Sequence, residues 1–213
     1  MAIFQNSYVK NITIGDNVRF VNNSMFRAFA FCYNFNSPVT IPNGVTNING
    51  CFGLCHNFNQ PVNIPNGGTH LISFMWSCQL FNHPINIPDS VLYMTDAFNN
   101  CISLNSPVVI GNNVQGLINA FDNCINMSQN ITIYSPNVNN VKAMLRGKSN
   151  SKRINIICPE NSTTYTKLIN TSASYSMFNA SVTWDNQVAN SGYIYNAKRN
   201  VYIYPVNFAA EEG

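Results

Sequence analysis

The residues of this chain best suited to chemistry are its seven cysteines, because thiols bind metals, form disulfides and act as nucleophiles. Five of them recur at one constant step along the sequence: Cys32, Cys55, Cys78, Cys101 and Cys124. A metal site needs ligands that converge on one point, whereas equivalent thiols of stacked segments form a line. Free cysteine is also among the most buried residue types. We therefore expect a column of buried free thiols, with disulfides or zinc as the alternative.

Other catalytic chemistry has little support in the sequence. The three histidines, His56, His70 and His83, lie at non-equivalent positions of the 23-residue period and have no carboxylate nearby in sequence. The eight acidic residues are scattered, and the patterns GxxxxGKS/T, GxGxxG and GxSxG do not occur. We expect no enzymatic activity, no catalytic residue, no cofactor and no metal. The opposing hypothesis, an enzyme that uses the cysteines, requires thiols that react rapidly in the folded protein.

The elements that would position these thiols repeat with the same period. Isoleucines recur at the cysteine step, each two positions after another aliphatic side chain: Ile41, Ile64, Ile87, Ile110, Ile133 and Ile156. Self-similarity at about 20 to 30 residues is typical of stacked supersecondary units. One unit cannot bury its apolar side alone, so the stack provides the core.

Each unit predicts a strand, a turn and a helical turn. Val62-Asn63-Ile64 alternates as a half-buried strand does, a proline stops it, and Asn66-Gly67 supplies a turn. Leu71, Met75 and Cys78 then follow at the i, i+4, i+7 spacing of a short helical segment. The sequence therefore predicts an α/β repeat solenoid, in which right-handed 23-residue coils form a parallel β-sheet.

Three regions follow from where the period begins and ends. Residues 1–24 predict an N-terminal cap with a first coil at 12–18, residues 25–158 the solenoid, and residues 159–213 a C-terminal cap. In the last region, residues 161–168 begin with helix-capping side chains. Further strands are expected at 182–184, 193–195 and 201–205. This region would cover the exposed end of the stack, although its tyrosines are also typical of a contact surface.

The composition limits the classes of partner. Charged residues make up 9 % of the chain, the formal net charge is +3, and asparagine is the most frequent residue. This balance gives little attraction for nucleic acid. No apolar run of about 18 residues occurs, so we expect no membrane insertion. The N-terminal residues lack a basic segment followed by an apolar stretch, and we therefore expect no secretory signal.

The repeated motif resembles the BspA-like class of the leucine-rich repeat superfamily. The matching residues are Val39-Thr40-Ile41-Pro42 with Phe52 and Cys55, and Val62-Asn63-Ile64-Pro65 with Met75 and Cys78. Phe-Asn pairs such as Phe35-Asn36 also look like that class. The resemblance covers residues 12–158 and implies a binding scaffold rather than one particular activity. Short asparagine-rich members of the class look like proteins found in bacteriophage genomes.

Two candidate sites follow. Such scaffolds bind on the exposed side of the strand layer, which here is small, polar and uncharged, suited to carbohydrate or protein but without stacking aromatic rings. The candidates on this face are Thr40, Asn63, Asn86, Val109, Thr132, Gln60, His83 and Gln129. A basic cluster that could dock phosphate or an acidic subunit comprises Lys142, Arg146, Lys148, Lys152 and Arg153. For both, the alternative is a plain solvated surface.

One further column consists of asparagines at the repeat step: Asn36, Asn59, Asn82 and Asn105. We expect an internal ladder in which each amide bonds backbone groups of its own or the adjacent coil. The alternative is a row of solvent-facing asparagines in an asparagine-rich protein.

These observations lead to a hypothesis of a non-enzymatic structural or binding protein. The first candidate is a bacteriophage virion component, such as a decoration protein, fibre or tail-associated adhesin. It would contact other virion subunits or a host-surface receptor, and a homo-oligomer is compatible with it. The alternative is a bacterial cell-surface adhesin or protein-interaction module of the same repeat family, which predicts a leader or a wall anchor.

Overall fold

The computed structural model describes residues 4–10, 12, 20–185 and 192–210. Its main element is a six-stranded sheet, in which neighbouring strands run parallel except for the last pair. The strands are β1 (Ile85–Ile87), β2 (Val108–Ile110), β3 (Ile131–Ile133), β4 (Ile154–Pro159), β5 (Ile194–Asn196) and β6 (Val201–Val206), in the spatial order β1-β2-β3-β4-β6-β5. Within the described residues, the one α-helix is α1 (Thr163–Leu168), and 3₁₀ turns occupy Val21–Asn23 and Phe208–Ala210. A largely parallel sheet with little helix agrees with the predicted α/β class in outline.

The strands form where two aliphatic side chains flank one more exposed position. Ile85 and Ile87 are buried on either side of the exposed Asn86. β1, β2 and β3 pair in register at the repeat step, so that Ile85, Val108 and Ile131 are aligned. A shift by one residue would turn these side chains to solvent, and burial of one face therefore holds the register. The six isoleucines at the repeat step are all buried, as predicted.

The register changes by two residues at β4, which corrects the predicted alignment. Ile131 pairs with Ile156 rather than with Ile154, so the step here is two longer than the repeat period. Cys158 consequently takes the inward position that the repeat step assigns to Ile156. A shift by an even number of residues keeps the same face buried, and it is therefore tolerated.

Two predicted strands, residues 39–41 and 62–64, are not formed. Where the ladder is complete, the residue after a strand donates to the preceding segment, as Gly111 N does to Ile87 O at 3.0 Å. The equivalent positions of the earlier segments are prolines: Pro65 and Pro88. Proline has no N–H to donate, so the hydrogen bond that closes each of these ladders is missing.

The predicted helical turns are also wrong, because these stretches are successive tight turns. Ala28 N donates to Met25 O at 3.1 Å, three residues earlier, whereas Phe29 N donates to Cys51 O at 2.8 Å in the following segment. Arg27 has a φ of 50°, as the third residue of such a turn requires. The same alternation recurs along the chain, so every second N–H joins neighbouring segments instead of a helix. Apolar residues in such turns fall at spacings close to those of a helix.

The predicted column of buried free thiols is confirmed. All seven cysteines are free and buried. Four thiols donate to a carbonyl oxygen 26 residues earlier: Cys55 to Phe29 at 3.0 Å, Cys78 to Phe52 at 3.1 Å, Cys101 to Met75 at 3.2 Å and Cys124 to Phe98 at 3.1 Å. Phenylalanine rings pack beside the column, and those of Phe29 and Phe52 stack with centroids 5.4 Å apart. The same bond at the same spacing places equivalent thiols in equivalent surroundings.

The asparagine ladder is confirmed, although it lies at the surface and not inside. Each side-chain oxygen accepts from the backbone N–H at the equivalent position of the next segment: Asn36 from Asn59 at 2.8 Å, Asn59 from Asn82 at 3.0 Å, Asn82 from Asn105 at 2.8 Å and Asn105 from Ser128 at 2.8 Å. The ladder thus satisfies loop amides that no strand or helix pairs.

The C-terminal part continues the same sheet. Ser162 caps α1 by accepting from Tyr165 N at 3.1 Å. The strands predicted at 193–195 and 201–205 are present as β5 and β6, which pair antiparallel. β6 pairs with β4 in parallel, so the expected boundary at residues 158 and 159 falls within β4. Residues 182–184 form no strand, and next to them Asp185 makes an isolated bridge to Tyr195. The predicted first coil at residues 12–18 lies outside the described residues, except for Ile12.

Candidate binding site on the outer face of the sheet

The outer face of the sheet carries part of the predicted binding surface. Asn86, Val109 and Thr132 lie side by side, because β1, β2 and β3 pair in register. Thr40 and Asn63 are exposed but precede the paired strands. The remaining candidates, Gln60, His83 and Gln129, lie in the loops before the strand positions; Gln60 donates to Asn36 Oδ1 at 3.2 Å, and the His83 ring bonds Asn59 O at 3.1 Å. Three of the eight candidates, Asn86, Val109 and Thr132, therefore form one row across the sheet.

That row continues into aromatic side chains that the repeat period does not contain. Thr132 is aligned with Ile157 of β4, and Ile157 with Tyr204 of β6. Beside them lies a tyrosine cluster, formed by Tyr193, Tyr195, Tyr202 and Tyr204, with ring centroids between 5.1 and 6.3 Å apart. The outer face therefore changes from small polar side chains to aromatic ones toward β5.

A cleft of about 440 Å³ lies where the two kinds of side chain meet. Residues two apart on a strand share a face, so β3, β4 and β6 each supply lining residues from one side of the sheet. Its main lining residues are Asn130, Thr132, Tyr134, Asn155, Tyr204 and Phe208, with two aliphatic side chains of β4 and β6. The Tyr134 and Phe208 rings are 4.6 Å apart and tilted by 46°. The cleft is therefore open to solvent, uncharged in its lining and partly aromatic.

Arg153 orients the polar groups of the cleft. Its guanidinium lies 3.9 Å over the Tyr202 ring, while Nε donates to Asn155 Oδ1 at 3.0 Å and an Nη donates to the Tyr204 hydroxyl at 2.7 Å. Asn155 Nδ2 in turn donates to Asn130 Oδ1 at 3.0 Å. A planar guanidinium keeps its donors in a fixed geometry while its face stacks on an aromatic ring, a combination that the ammonium group of a lysine does not offer.

The five residues of the predicted basic cluster are not brought together as a docking surface. Arg146 pairs with the fully buried side chain of Asp122. Lys148 is buried and its Nζ donates to the carbonyl oxygens of Ser149, Lys152 and Arg199. Burial, with the charge of Arg199 as a smaller cause, lowers the Lys148 pKa to about 8. Two of the five basic side chains, Arg146 and Lys148, therefore have partners within the fold.

Lys142 and Lys152 are exposed, and neither side chain makes a hydrogen bond within the described residues. Arg153 is exposed as well, but its guanidinium contacts Tyr202 of the tyrosine cluster and donates to Tyr204, which lines the cleft. The absence of an acid near the cluster in sequence was misleading, because Asp122 comes from the preceding segment.

Six buried thiols are held in their neutral form. Burial raises the pKa of Cys101 and that of Cys158 to about 12, and it raises those of Cys51, Cys55, Cys78 and Cys124 as well. A thiol reacts as its thiolate, so such groups are poor nucleophiles and poor metal ligands at neutral pH. Among the described residues, no three His, Cys, Asp or Glu side chains are grouped as a metal site would need.

Sequence reasoning did not identify Asn130, Tyr134, Asn155 and Phe208 as parts of the site. Asn130 and Tyr134 extend the outward alternation of Thr132 by two residues on either side, which is a usable signal. Asn155 and Phe208 become neighbours of that strand only through the pairing of β4 with β3 and β6. The sequence contains no local sign of this contact.

No family model, curated protein or solved structure matches the chain. The resemblance to BspA-like leucine-rich repeats therefore depends on the recurring residues alone. None of the helices in the described residues has the length and hydropathy that crossing a bilayer requires.

Proposed function

We propose that the 23-residue segments are coils of a right-handed, leucine-rich-repeat-like solenoid, to which the C-terminal residues add a β-rich cap. The in-register pairing of β1, β2 and β3 supports this interpretation, as do the thiol bonds that recur at the same step. Stacked coils bury a continuous core and leave one long outer face for recognition.

On this scaffold, the protein is a non-enzymatic binding or structural component, best understood as part of a bacteriophage virion. The observation that carries the binding function is the outer face, where the Asn86, Val109 and Thr132 row leads into the aromatic cleft. Tyrosine-rich surfaces with few charges are typical of contact regions. Buried thiols with raised pKa values support a structural role for the cysteines rather than a catalytic one. We base the placement in a virion on the asparagine-rich repeat motif and on its resemblance to the short BspA-like proteins of bacteriophage genomes.

Sedimentation of assembled particles tests this function. Lysate of a phage-producing culture that expresses the chain is separated on a density gradient, and an antibody against the protein is used to locate it. The expected result is that the protein sediments with the particles and stays with them after a salt wash. Recovery only as a free soluble monomer would contradict the virion assignment. Recovery with the bacterial cell envelope would favour the cell-surface adhesin instead.

A further inference from the structure

The cleft on the outer face has the features of a site for one chemical class of ligand. We propose that it binds a neutral oligosaccharide, through the rings of Tyr134 and Phe208 and the polar groups that Arg153 orients. The proposal rests on the binding function assigned above to this face, and it specifies the ligand. The cleft volume of about 440 Å³ lies in the ordinary range for small-molecule sites.

The aromatic wall supplies the apolar part of the site. The Tyr134 side chain is 40 % exposed, and the Phe208 ring next to it is partly exposed, so both have surface to offer a ligand. A pyranose ring has a face of C–H groups that packs on an aromatic ring by dispersion. Two rings tilted by 46° form a corner, which contacts a sugar from two sides.

The hydrogen-bond network fixes which polar atoms a ligand meets. The Tyr204 hydroxyl accepts from Arg153 and makes no other hydrogen bond within the described residues, so its own hydrogen can be donated into the cleft. Because Asn155 Oδ1 accepts from Arg153, Asn155 Nδ2 donates to Asn130 Oδ1, and Asn130 Nδ2 is left as an outward donor. Within the described residues, the hydroxyls of Thr132 and Tyr134 make no hydrogen bond and can both donate and accept. Sugar hydroxyls, which also do both, match this set.

The charges around the cleft favour a neutral ligand. None of the lining side chains is charged, and the guanidinium of Arg153 is already engaged by Asn155, Tyr202 and Tyr204. An ammonium group placed in the cleft would lose hydration without meeting an acid in the lining, and a carboxylate or sulfate would find only the solvent-exposed guanidinium of Arg153 outside the lining, whose attraction solvent screens. The ligand is therefore neutral.

A peptide fits the cleft less well than a sugar does. Peptides that bind sheets usually add a strand to an open edge. The cleft lies instead on the face of β3, β4 and β6, whose backbone groups pair with one another. A ligand here must use side chains, which favours a molecule with hydroxyls around an apolar ring.

Titration with defined sugars tests the assignment. Maltotriose, cellotriose, triacetylchitotriose and lactose are each added to about 10 mM, and binding is followed by saturation-transfer NMR and amide shifts. We expect at least one to bind with a Kd between about 0.1 and 10 mM, as befits a shallow open site. Phe208→Ala and Tyr134→Ala should each weaken that binding at least about tenfold. Tyr175→Ala, which removes an exposed tyrosine outside the cleft, is the matched control and should leave binding unchanged.

Arg153→Lys tests whether Arg153 acts by orienting the polar groups of the cleft or only through its positive charge. It keeps the positive charge but loses the planar donors, so sugar affinity should fall several-fold while the fold is retained. Tighter binding of 3′-sialyllactose than of lactose would contradict a neutral site. No response to any of the four sugars, or binding that Tyr134→Ala and Phe208→Ala leave unchanged, would overturn the proposal.

The same variants distinguish the sugar-binding proposal from the more general binding function on which it rests. If no sugar binds but Phe208→Ala still abolishes attachment to particles or host cells, the sugar assignment fails and the binding face stands. If neither sugars nor attachment depend on Phe208 and Tyr134, both fail.

Discussion

At the scale of single residues, the thiol column is held by burial and by hydrogen bonds from each thiol to backbone carbonyl oxygens. Cys101 donates to Met75 O at 3.2 Å, and burial raises its pKa from the ordinary 9.0 to about 12. The folded state therefore favours the protonated thiol. An acid whose pKa is raised on folding stabilises the protein fully below pH 9 and progressively less as the pH rises toward 12.

Replacement of one thiol tests this linkage. At pH 10 an unfolded thiol of pKa 9.0 is mostly ionised, so each buried thiol costs the folded state about 1.4 kcal/mol relative to pH 7.5. Cys101→Ala should reduce the loss of unfolding free energy between these pH values by about that amount. Urea unfolding of both proteins at both pH values measures the difference. An identical loss in the two proteins would contradict a buried, protonated Cys101.

At the scale of elements, hydrogen bonds between successive segments hold the repeated part of the chain together, in stretches where helical turns were predicted. The asparagine ladder is one such set, and Asn82 Oδ1 accepts from both Asn105 N at 2.8 Å and Ser106 Oγ at 3.0 Å. Asn82→Ala should lower the unfolding free energy by about 1 kcal/mol, because water reaches the freed amide. Asn86→Ala, on the exposed face of β1 and without a side-chain hydrogen bond within the described residues, should change it little. Equal effects of the two substitutions in urea unfolding would argue against the ladder.

The prolines after the strands offer a second test at this scale. If Pro88 prevents a ladder bond to Ile64 O, Pro88→Ala supplies the missing N–H. The new amide at position 88 should be protected from hydrogen exchange, and residues 62–64 should gain protection with it. Pro84→Ala introduces an amide at an exposed position before β1, and that amide should exchange rapidly with solvent. Fast exchange at both positions would mean that the proline does not cause the missing strand.

The same scale explains what could be predicted from the sequence. The in-register strands β1, β2 and β3, the thiol column and the hydrogen bonds of the asparagine ladder were predictable, because each depends on similar residues at one step. The predicted strands at 39–41, 62–64 and 182–184 are not formed. The helical turns were wrongly predicted, since Leu71, Met75 and Cys78 have spacings that successive tight turns also allow. Lys148 looked like part of a docking cluster, but it is buried and bonds the carbonyl oxygen of Arg199, a residue 51 positions away in sequence. The cleft needs β6 beside β4, a long-range pairing that no local pattern encodes.

At the scale of the whole molecule, the proposed solenoid requires successive segments to stack in register. Their exposed strand positions then form one continuous outer face that ends at the cleft. If the unfolding free energy is a sum of contributions from segments and from the interfaces between them, one whole segment can be removed and the two segments on either side can pack against each other. Deletion of residues 82–104 links Phe81 to Asn105 and restores the Phe-Asn-x-Pro motif at the junction. Deletion of residues 82–93 breaks the register and is the matched control.

The most direct measurement is the equilibrium unfolding of these two deletion proteins, with the amide spectrum of the C-terminal residues recorded alongside. We expect the protein without residues 82–104 to unfold cooperatively, at a lower urea concentration than the full chain. It should keep the amide signals of Tyr134, Tyr204 and Phe208. The protein without residues 82–93 should show no cooperative transition. Failure of both proteins to fold, or equal stability of the two, would contradict stacking in register.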